Sequence, residues 1–231
     1  MRNKTHILIA FILQSSLSWA QVPTKIERKT NFNTYIGKEN YTALIRDSIH
    51  IKTGNYVFTS NLPIKLIDNT IFINELSING QYLKNQKNGQ WKYLYQSFSI
   101  ADLALKGVQQ ILLQHKINGN EDEYTFTFKN GNRYGKSIYN QRRIENGKYG
   151  IAEKLAEIPY QNDTIKGEFM VNIDSIKING TTNNEGFLIG KLELLYFENQ
   201  NQILEKRGYK NGFLISLEKL NPITNEVITK I

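Results

Sequence analysis

Residues 80–95 read GQYLKNQKNGQWKYLY, and this stretch decides the fold class. The pair Asn88-Gly89 ends a polar run, and large aromatic side chains follow at alternate positions: Trp91, Tyr93 and Tyr95. Asn-Gly supplies the two positive-φ residues that a type I′ turn between antiparallel strands requires. Alternate residues of a strand share one face. We therefore predict a hairpin that turns at Asn88-Gly89 and carries an aromatic face.

The same pattern returns three times downstream, at Asn130-Gly131, Glu185-Gly186 and Asn211-Gly212. Steps of two, four and six residues from Gly89 and from Gly190 reach large side chains at matching positions. The proposed repeat residues are Gly89, Trp91, Tyr93, Tyr95, Gly131, Gly135, Tyr139, Gly186, Gly190, Leu192, Leu194, Tyr196 and Gly212. A single hairpin cannot bury such a face, so the units must stack on one another. We expect Trp91 and Leu192 in the core.

The rest of the pattern predicts a mainly β protein, an antiparallel meander of repeated hairpins that forms an elongated twisted sheet. Short strands over 41–45, 56–59 and 70–73 are separated by turn residues, among them Thr53-Gly54-Asn55. One or two short helices are also expected. Ser99 can cap the first, with Gly107 as its end, and residues 151–158 are helical by composition.

These units resemble the MORN repeat, particularly the variant repeats of secreted proteins from Bacteroidetes-type bacteria. That pattern is a glycine-rich hairpin in which Asn-Gly is followed by a second glycine, a large apolar residue and tyrosines. The run from Tyr196 to Asn199, followed by Lys206 to Gly212, is most similar to it. Ser216 stands where the last unit would have its second glycine. The resemblance implies an extended antiparallel sheet and a scaffold or binding role rather than chemistry.

The N-terminus has the composition of a secretory signal. Arg2 and Lys4 precede an apolar run over 7–13, and Ser18-Trp19-Ala20 provides small residues for signal peptidase. We therefore expect a signal peptide at 1–20, a flexible leader at 21–34, an N-terminal hairpin region at 35–79 and the MORN-like region at 80–231. Export would place the protein in the periplasm, at the outer surface or outside the cell. Loss of the signal lowers the net charge from +8 to +6.

The composition gives little support to catalysis. The chain has no Cys, which excludes disulfides and thiol chemistry, and its three His residues belong to no ligand motif. No nucleophile elbow, phosphate-binding loop or zinc-protease motif occurs. We expect a non-enzymatic protein with no cofactor and no metal. The acidic run over 118–123 lacks the alternating ligands of a calcium loop and is interpreted as a solvated turn.

Two alternatives stay open. The first is a hydrolase that uses strand carboxylates, with Glu168, Glu193 and Glu198 as candidates. The second is a basic stripe beside the hairpin turns that would attract an anionic glycan or lipid. Its residues are Lys84, Lys87, Lys92, Arg142, Arg143, Lys206, Arg207 and Lys210. The expected partner is a protein or an anionic envelope component, and export argues against nucleic acid.

Overall fold

The computed structural model describes residues 22–60, 64–68, 70–106 and 111–231, without the side chains of 102–106 and 111–115. The expected signal peptide and Gly107 lie outside this range. Every regular element in the described residues is a strand. The strands are β1 Thr24–Phe32, β2 Tyr35–Arg46, β3 Ile49–Ser60, β4 Ile64–Ile67, β5 Thr70–Leu83, β6 Gln86–Lys106, β7 Ile111–Lys129, β8 Asn132–Glu145, β9 Lys148–Tyr149, β10 Glu153–Gln161, β11 Thr164–Ile165, β12 Gly167–Ile173, β13 Ile176–Thr182, β14 Leu188–Glu198, β15 Asn201–Lys210, β16 Phe213–Leu220 and β17 Val227–Lys230. No helix that could cross a membrane occurs in this part of the chain.

All 17 strands belong to one antiparallel meander that does not close. The ladder runs β1, β2, β3, β5, β6, β7, β8, β10, β12, β13, β14, β15, β16 and β17, each strand pairing with the next. The short strands β4, β9 and β11 extend neighbouring rows. The predicted fold class is therefore correct in its main feature.

The prediction of short helices is wrong. Ser99 lies in β6, where Ser99 pairs with Phe72 on one side and Asn118 on the other. Residues 153–161 form β10, which pairs with β8. In both segments, cross-strand pairing overrides a weak local preference for helix. Strand β1 likewise occupies most of the segment that was expected to be a flexible leader.

The glycine of Asn88-Gly89 does not form the hairpin turn. Lys84 and Asn85, both with positive φ, make the turn between β5 and β6, whereas Gly89 lies inside β6 at a β-bulge. Gly54 also lies at a bulge, inside β3, and not at a turn. A β-bulge is the other common position for a positive-φ glycine in a sheet.

A ten-residue unit repeats in the structure at 82–91, 128–137, 160–169 and 209–218. Each begins with an aromatic residue, and a two-residue turn follows at the third and fourth positions. The fourth residue donates its backbone N–H to a carbonyl on the strand before the hairpin. These bonds join Asn85 to Lys52, Gly131 to Lys87, Asp163 to Arg133 and Gly212 to Leu188. The hairpins are thus joined in one register.

The residue two positions after each acceptor is a bulge glycine: Gly54, Gly89, Gly135 and Gly190. Opposite each glycine, the next strand places an aromatic ring: Tyr82, Phe128, Tyr160 and Tyr209. Two residues further along the bulged strand lies a buried side chain: Tyr56, Trp91, Ser137 and Leu192. Aromatic cross-strand partners and bulges are two known means of fixing sheet register.

The main core lies on one side of the N-terminal half of the sheet, here called the aromatic face. Trp91 is 1% exposed and packs against the rings of Tyr56 and Tyr82. The ring of Phe32 in β1 lies 6.2 Å from that of Tyr93 in β6, although three strands separate them in the ladder. The aromatic face is therefore concave at this end, which allows a single sheet to bury its own side chains.

Candidate functional site

The predicted repeat residues occupy three kinds of position. Gly131, Gly186 and Gly212 lie in turns, and Gly89, Gly135 and Gly190 lie at bulges. The large side chains lie on the aromatic face, with Trp91 and Leu192 buried and Tyr93, Tyr95, Tyr139, Leu194 and Tyr196 partly buried. Leu192 is 7% exposed and lies opposite Gly180, as Trp91 lies opposite Gly80. The equivalence of Gly89 and Gly190 thus holds in three dimensions.

The eight basic residues do not form one stripe. Lys84 and Lys210 are exposed at turns that lie at the same end of the strands, but the strands from β7 to β14 separate them. Lys92 and Arg142 lie on the opposite face, paired with Glu123 and Glu121. Lys206 also lies on that opposite face, between Glu193 and Glu218 in the register.

The other three basic residues lie on the aromatic face. Lys87 places its Nζ between 4.7 and 5.4 Å from the ring centres of Trp91, Tyr93 and Phe128, and donates to the Tyr93 hydroxyl at 2.6 Å. Burial lowers the pKa of this lysine. Arg207 is bound to Glu205. Arg143 alone of the three is exposed, and it borders a cavity.

That cavity is a groove of 810 Å³ on the aromatic face. It lies near the strand ends that are opposite to the turns joining the units. We call it the polar groove and define it by Phe72, Ser97, Ser99, Asn118, Asn120 and Arg143. The register places Ser97, Asn120 and Arg143 side by side on β6, β7 and β8, and Phe72, Ser99 and Asn118 in the adjacent row. Its volume lies within the roughly 300 to 1,000 Å³ typical of ligand sites.

A hydrogen-bond network borders the polar groove. Asp122 Oδ1 accepts from the Tyr139 hydroxyl at 2.7 Å and from Gln141 Nε2 at 2.9 Å. Burial raises the pKa of Tyr139, and the hydrogen bond to Asp122 raises it further. The Tyr139 hydroxyl therefore stays protonated and holds the Asp122 carboxylate in one orientation. The ring of Tyr139 is itself held by stacking on Tyr124, with ring centres 4.3 Å apart.

A second groove, of 470 Å³, lies on the opposite face and is lined by three glutamate side chains. Glu157, Glu168 and Glu193 line it around Gly180, so two of the three hydrolase candidates share one depression. Hydrogen bonds from Lys136 and Lys154 lower the pKa of Glu157 to about 2. The third candidate, Glu198, pairs instead with Lys219 at 3.3 Å.

A buried, paired glutamate lies on the aromatic face near each end of the sheet, Glu39 in β2 and Glu205 in β15. Burial of Glu39 opposes its ionisation, but hydrogen bonds from Arg28 and Lys52 outweigh that cost, and the pKa lies below its ordinary value. Glu205 repeats the arrangement near the other end: burial again raises its pKa, but Tyr196, Arg207 and Lys219 outweigh burial and bring the pKa below its ordinary value. Both carboxylates are 3% exposed. Pairing of this kind marks structural groups.

Within the described residues, no group of three or more His, Asp or Glu side chains is placed to hold a metal ion. Comparison with protein-family models, with curated proteins and with solved structures finds no match to this chain.

The polar groove was missed in the sequence. Ser99 lies in the segment that suggested a helix, Asn118 and Asn120 lie in the acidic run that suggested a turn, and Phe72 comes from another strand. The one signal available was the change along β6 and β7 from alternate aromatic residues to alternate Ser and Asn.

Proposed function

We propose that this protein is an exported, non-enzymatic repeat module that binds a component of the cell envelope through its polar groove. The observation that carries the proposal is the groove itself, with its border network. It is an open cavity on the aromatic face, and an oriented carboxylate lies at its rim. A rigid sheet with polar groups held in advance of binding loses little conformational entropy when a ligand arrives.

The ten-residue unit supports the resemblance to MORN repeats. The unit at 128–137, FKNGNRYGKS, contains the Asn-Gly turn, the second glycine and the aromatic start of that pattern. The regular bonding of each turn to the preceding strand is the behaviour expected of stacked repeats, in which each unit contacts its neighbours. Such an array provides a rigid support for a binding surface.

A hydrolase is the less supported alternative. A glycosidase needs one carboxylic acid whose pKa is raised so that it can donate a proton. In the described part of the chain, each carboxylate with a shifted pKa is shifted downwards: Glu39, Glu157, Asp163 and Glu205. Of these four, Glu157 lines the groove with Glu168 and Glu193, and its lowered pKa keeps it ionised and unsuited to donate a proton.

Binding of an anionic polymer along a basic stripe is also less supported. The eight basic residues divide between the two faces of the sheet and between the two ends of its strands. Several of them already have carboxylate partners, which reduces the positive potential they can offer. The polar groove retains one of the eight, Arg143.

Expression of the full chain in a Gram-negative host tests this function. The expected product begins at Gln21 and sediments with washed cell envelopes. A protein that keeps residues 1–20 in the cytoplasm contradicts export, and a processed protein that does not sediment contradicts envelope binding. A Glu168→Gln and Glu193→Gln double variant should sediment as wild type does, and neither protein should release soluble sugar from the envelopes. Release by the wild type alone would favour the hydrolase.

A further inference from the structure

The polar groove differs from the rest of the aromatic face in the chemistry of its floor. Towards the turns that join the units, β6 and β7 present Trp91, Tyr93 and Phe126 on this face. In the groove the same strands present Ser97 and Ser99, with Asn118 and Asn120 opposite them. The floor therefore offers hydroxyl and amide groups, each of which can both donate and accept hydrogen bonds.

The described side chains that line the groove carry no net charge. Lys116 and Arg143 line it with Glu145 and Asp174, so these residues supply two positive and two negative charges. Asp122 adds a carboxylate at the border, fixed by Tyr139 and Gln141. A polyanion would meet three carboxylates here. A ligand with many hydroxyl groups and no net charge fits this lining better.

One wall of the groove is apolar. Phe72 is 38% exposed, and its register partner on the floor is Ser99. A sugar ring has an apolar C–H face and a rim of hydroxyls, so it can pack against such a ring while its hydroxyls bond to the floor. An apolar peptide would need a pocket for a buried anchor side chain, and the floor of small polar residues offers none.

We propose that the polar groove binds an uncharged glycan chain. The proposal rests on the envelope-binding function above and names the ligand class for the same site. Ser97, Asn118 and Asn120 bond to sugar hydroxyls, Arg143 donates to them, and Asp122 accepts from them. Phe72 packs against one sugar ring. No bond is made or broken, because the site binds without catalysis.

Calorimetric titration of residues 21–231 with defined oligosaccharides tests the ligand class. The neutral probes are chitohexaose, cellohexaose, maltohexaose and neutral fragments released from the envelope, and the anionic probe is a heparin hexasaccharide. We expect at least one neutral probe to bind and the heparin probe to bind more weakly. Failure of every neutral probe, or tighter binding of heparin, would overturn the assignment.

Three variants locate the site. Ser97→Ala with Asn120→Ala should weaken neutral-glycan binding at least tenfold, whereas Asn132→Ala, an exposed asparagine near the Asn130-Gly131 turn, should leave it unchanged. Tyr139→Phe removes one of the two hydrogen bonds that orient Asp122 and should weaken binding several-fold with an unchanged circular dichroism spectrum. Equal binding by wild type and the double variant would refute the location. If envelopes still retain the double variant as they retain wild type, the glycan assignment fails while envelope binding stands.

Discussion

The substitution Gly80→Ala tests the packing that organises the repeat. A Cβ atom at Gly80 would lie 2.7 Å from Cε3 of Trp91 and closer still to Cδ2 and Cε2. The indole cannot move aside easily, because its ring packs 5.4 Å from Tyr56 and 5.0 Å from Tyr82 and its Nε1 donates to the carbonyl of Gln81. Overpacking of a tight core costs about 1 to 3 kcal/mol.

We expect Gly80→Ala to lie at the upper end of that range, about 3 kcal/mol, which lowers the melting temperature of a domain this size by roughly 6 to 12 °C. Urea and thermal unfolding of residues 21–231 measure it. Gly150→Ala is the matched control, because the nearest atom to its added Cβ is the Arg143 carbonyl oxygen at 3.3 Å. Its effect should stay below about 1 kcal/mol.

A double-mutant cycle that combines Gly80→Ala with Trp91→Ala makes the test specific to the contact between these two residues. Trp91→Ala alone should cost about 3 to 5 kcal/mol, as for other buried large aromatic residues. In that background the added methyl group of Gly80→Ala meets no indole, so its cost should fall below about 1 kcal/mol. If Gly80→Ala is equally destabilising with and without the indole, steric contact with Trp91 is not the cause and the reasoning is refuted.

Two further predictions concern the buried carboxylate of Glu39 and the bulge at Gly89. The pKa of Glu39 is lowered in the folded state, so its stabilising effect is fully present above its unfolded value near 4.5 and is lost as the pH falls through the lower folded value. Urea unfolding at pH 7 and pH 3 should therefore show a smaller acid destabilisation for Glu39→Gln than for wild type, and equal losses would exclude Glu39 as a source. Gly89→Ala should cost about 1 to 2 kcal/mol for its left-handed backbone alone, because the nearest atom to the added Cβ is Gln81 Oε1 at 3.7 Å. Gly89→Asn should cost less, since Asn tolerates this conformation better, and equal costs in thermal unfolding would argue against backbone strain.

The main features of the sheet could be predicted because alternation and turn chemistry act locally. Trp91 and Leu192 follow their glycines at the same spacing, and both are buried opposite a glycine on the preceding strand. What failed was the assignment of each glycine to a turn or a bulge. Both positions require positive φ, so the residue type alone cannot separate them.

The candidate site could not be predicted, because it depends on the exact register of four consecutive strands, β5 to β8. Phe72 lies opposite Ser99 only because the bulge at Gly89 shifts the pairing of β5 with β6, and the unbroken pairing of β6 with β7 then places Asn118 on the other side of Ser99. A one-residue difference would turn these side chains to the other face. The helix expected between Ser99 and Gly107 also removed one floor residue, Ser99, from consideration.

The most direct test of the account is a chemical-shift map of ¹⁵N-labelled residues 21–231 titrated with neutral glycan fragments solubilised from the envelope. Binding in the polar groove predicts that the largest shifts cluster at Ser97, Asn118, Asn120 and Arg143, with little change at Lys84 and Lys210. Shifts concentrated at those two exposed turns, or spread evenly over the chain, would contradict the account.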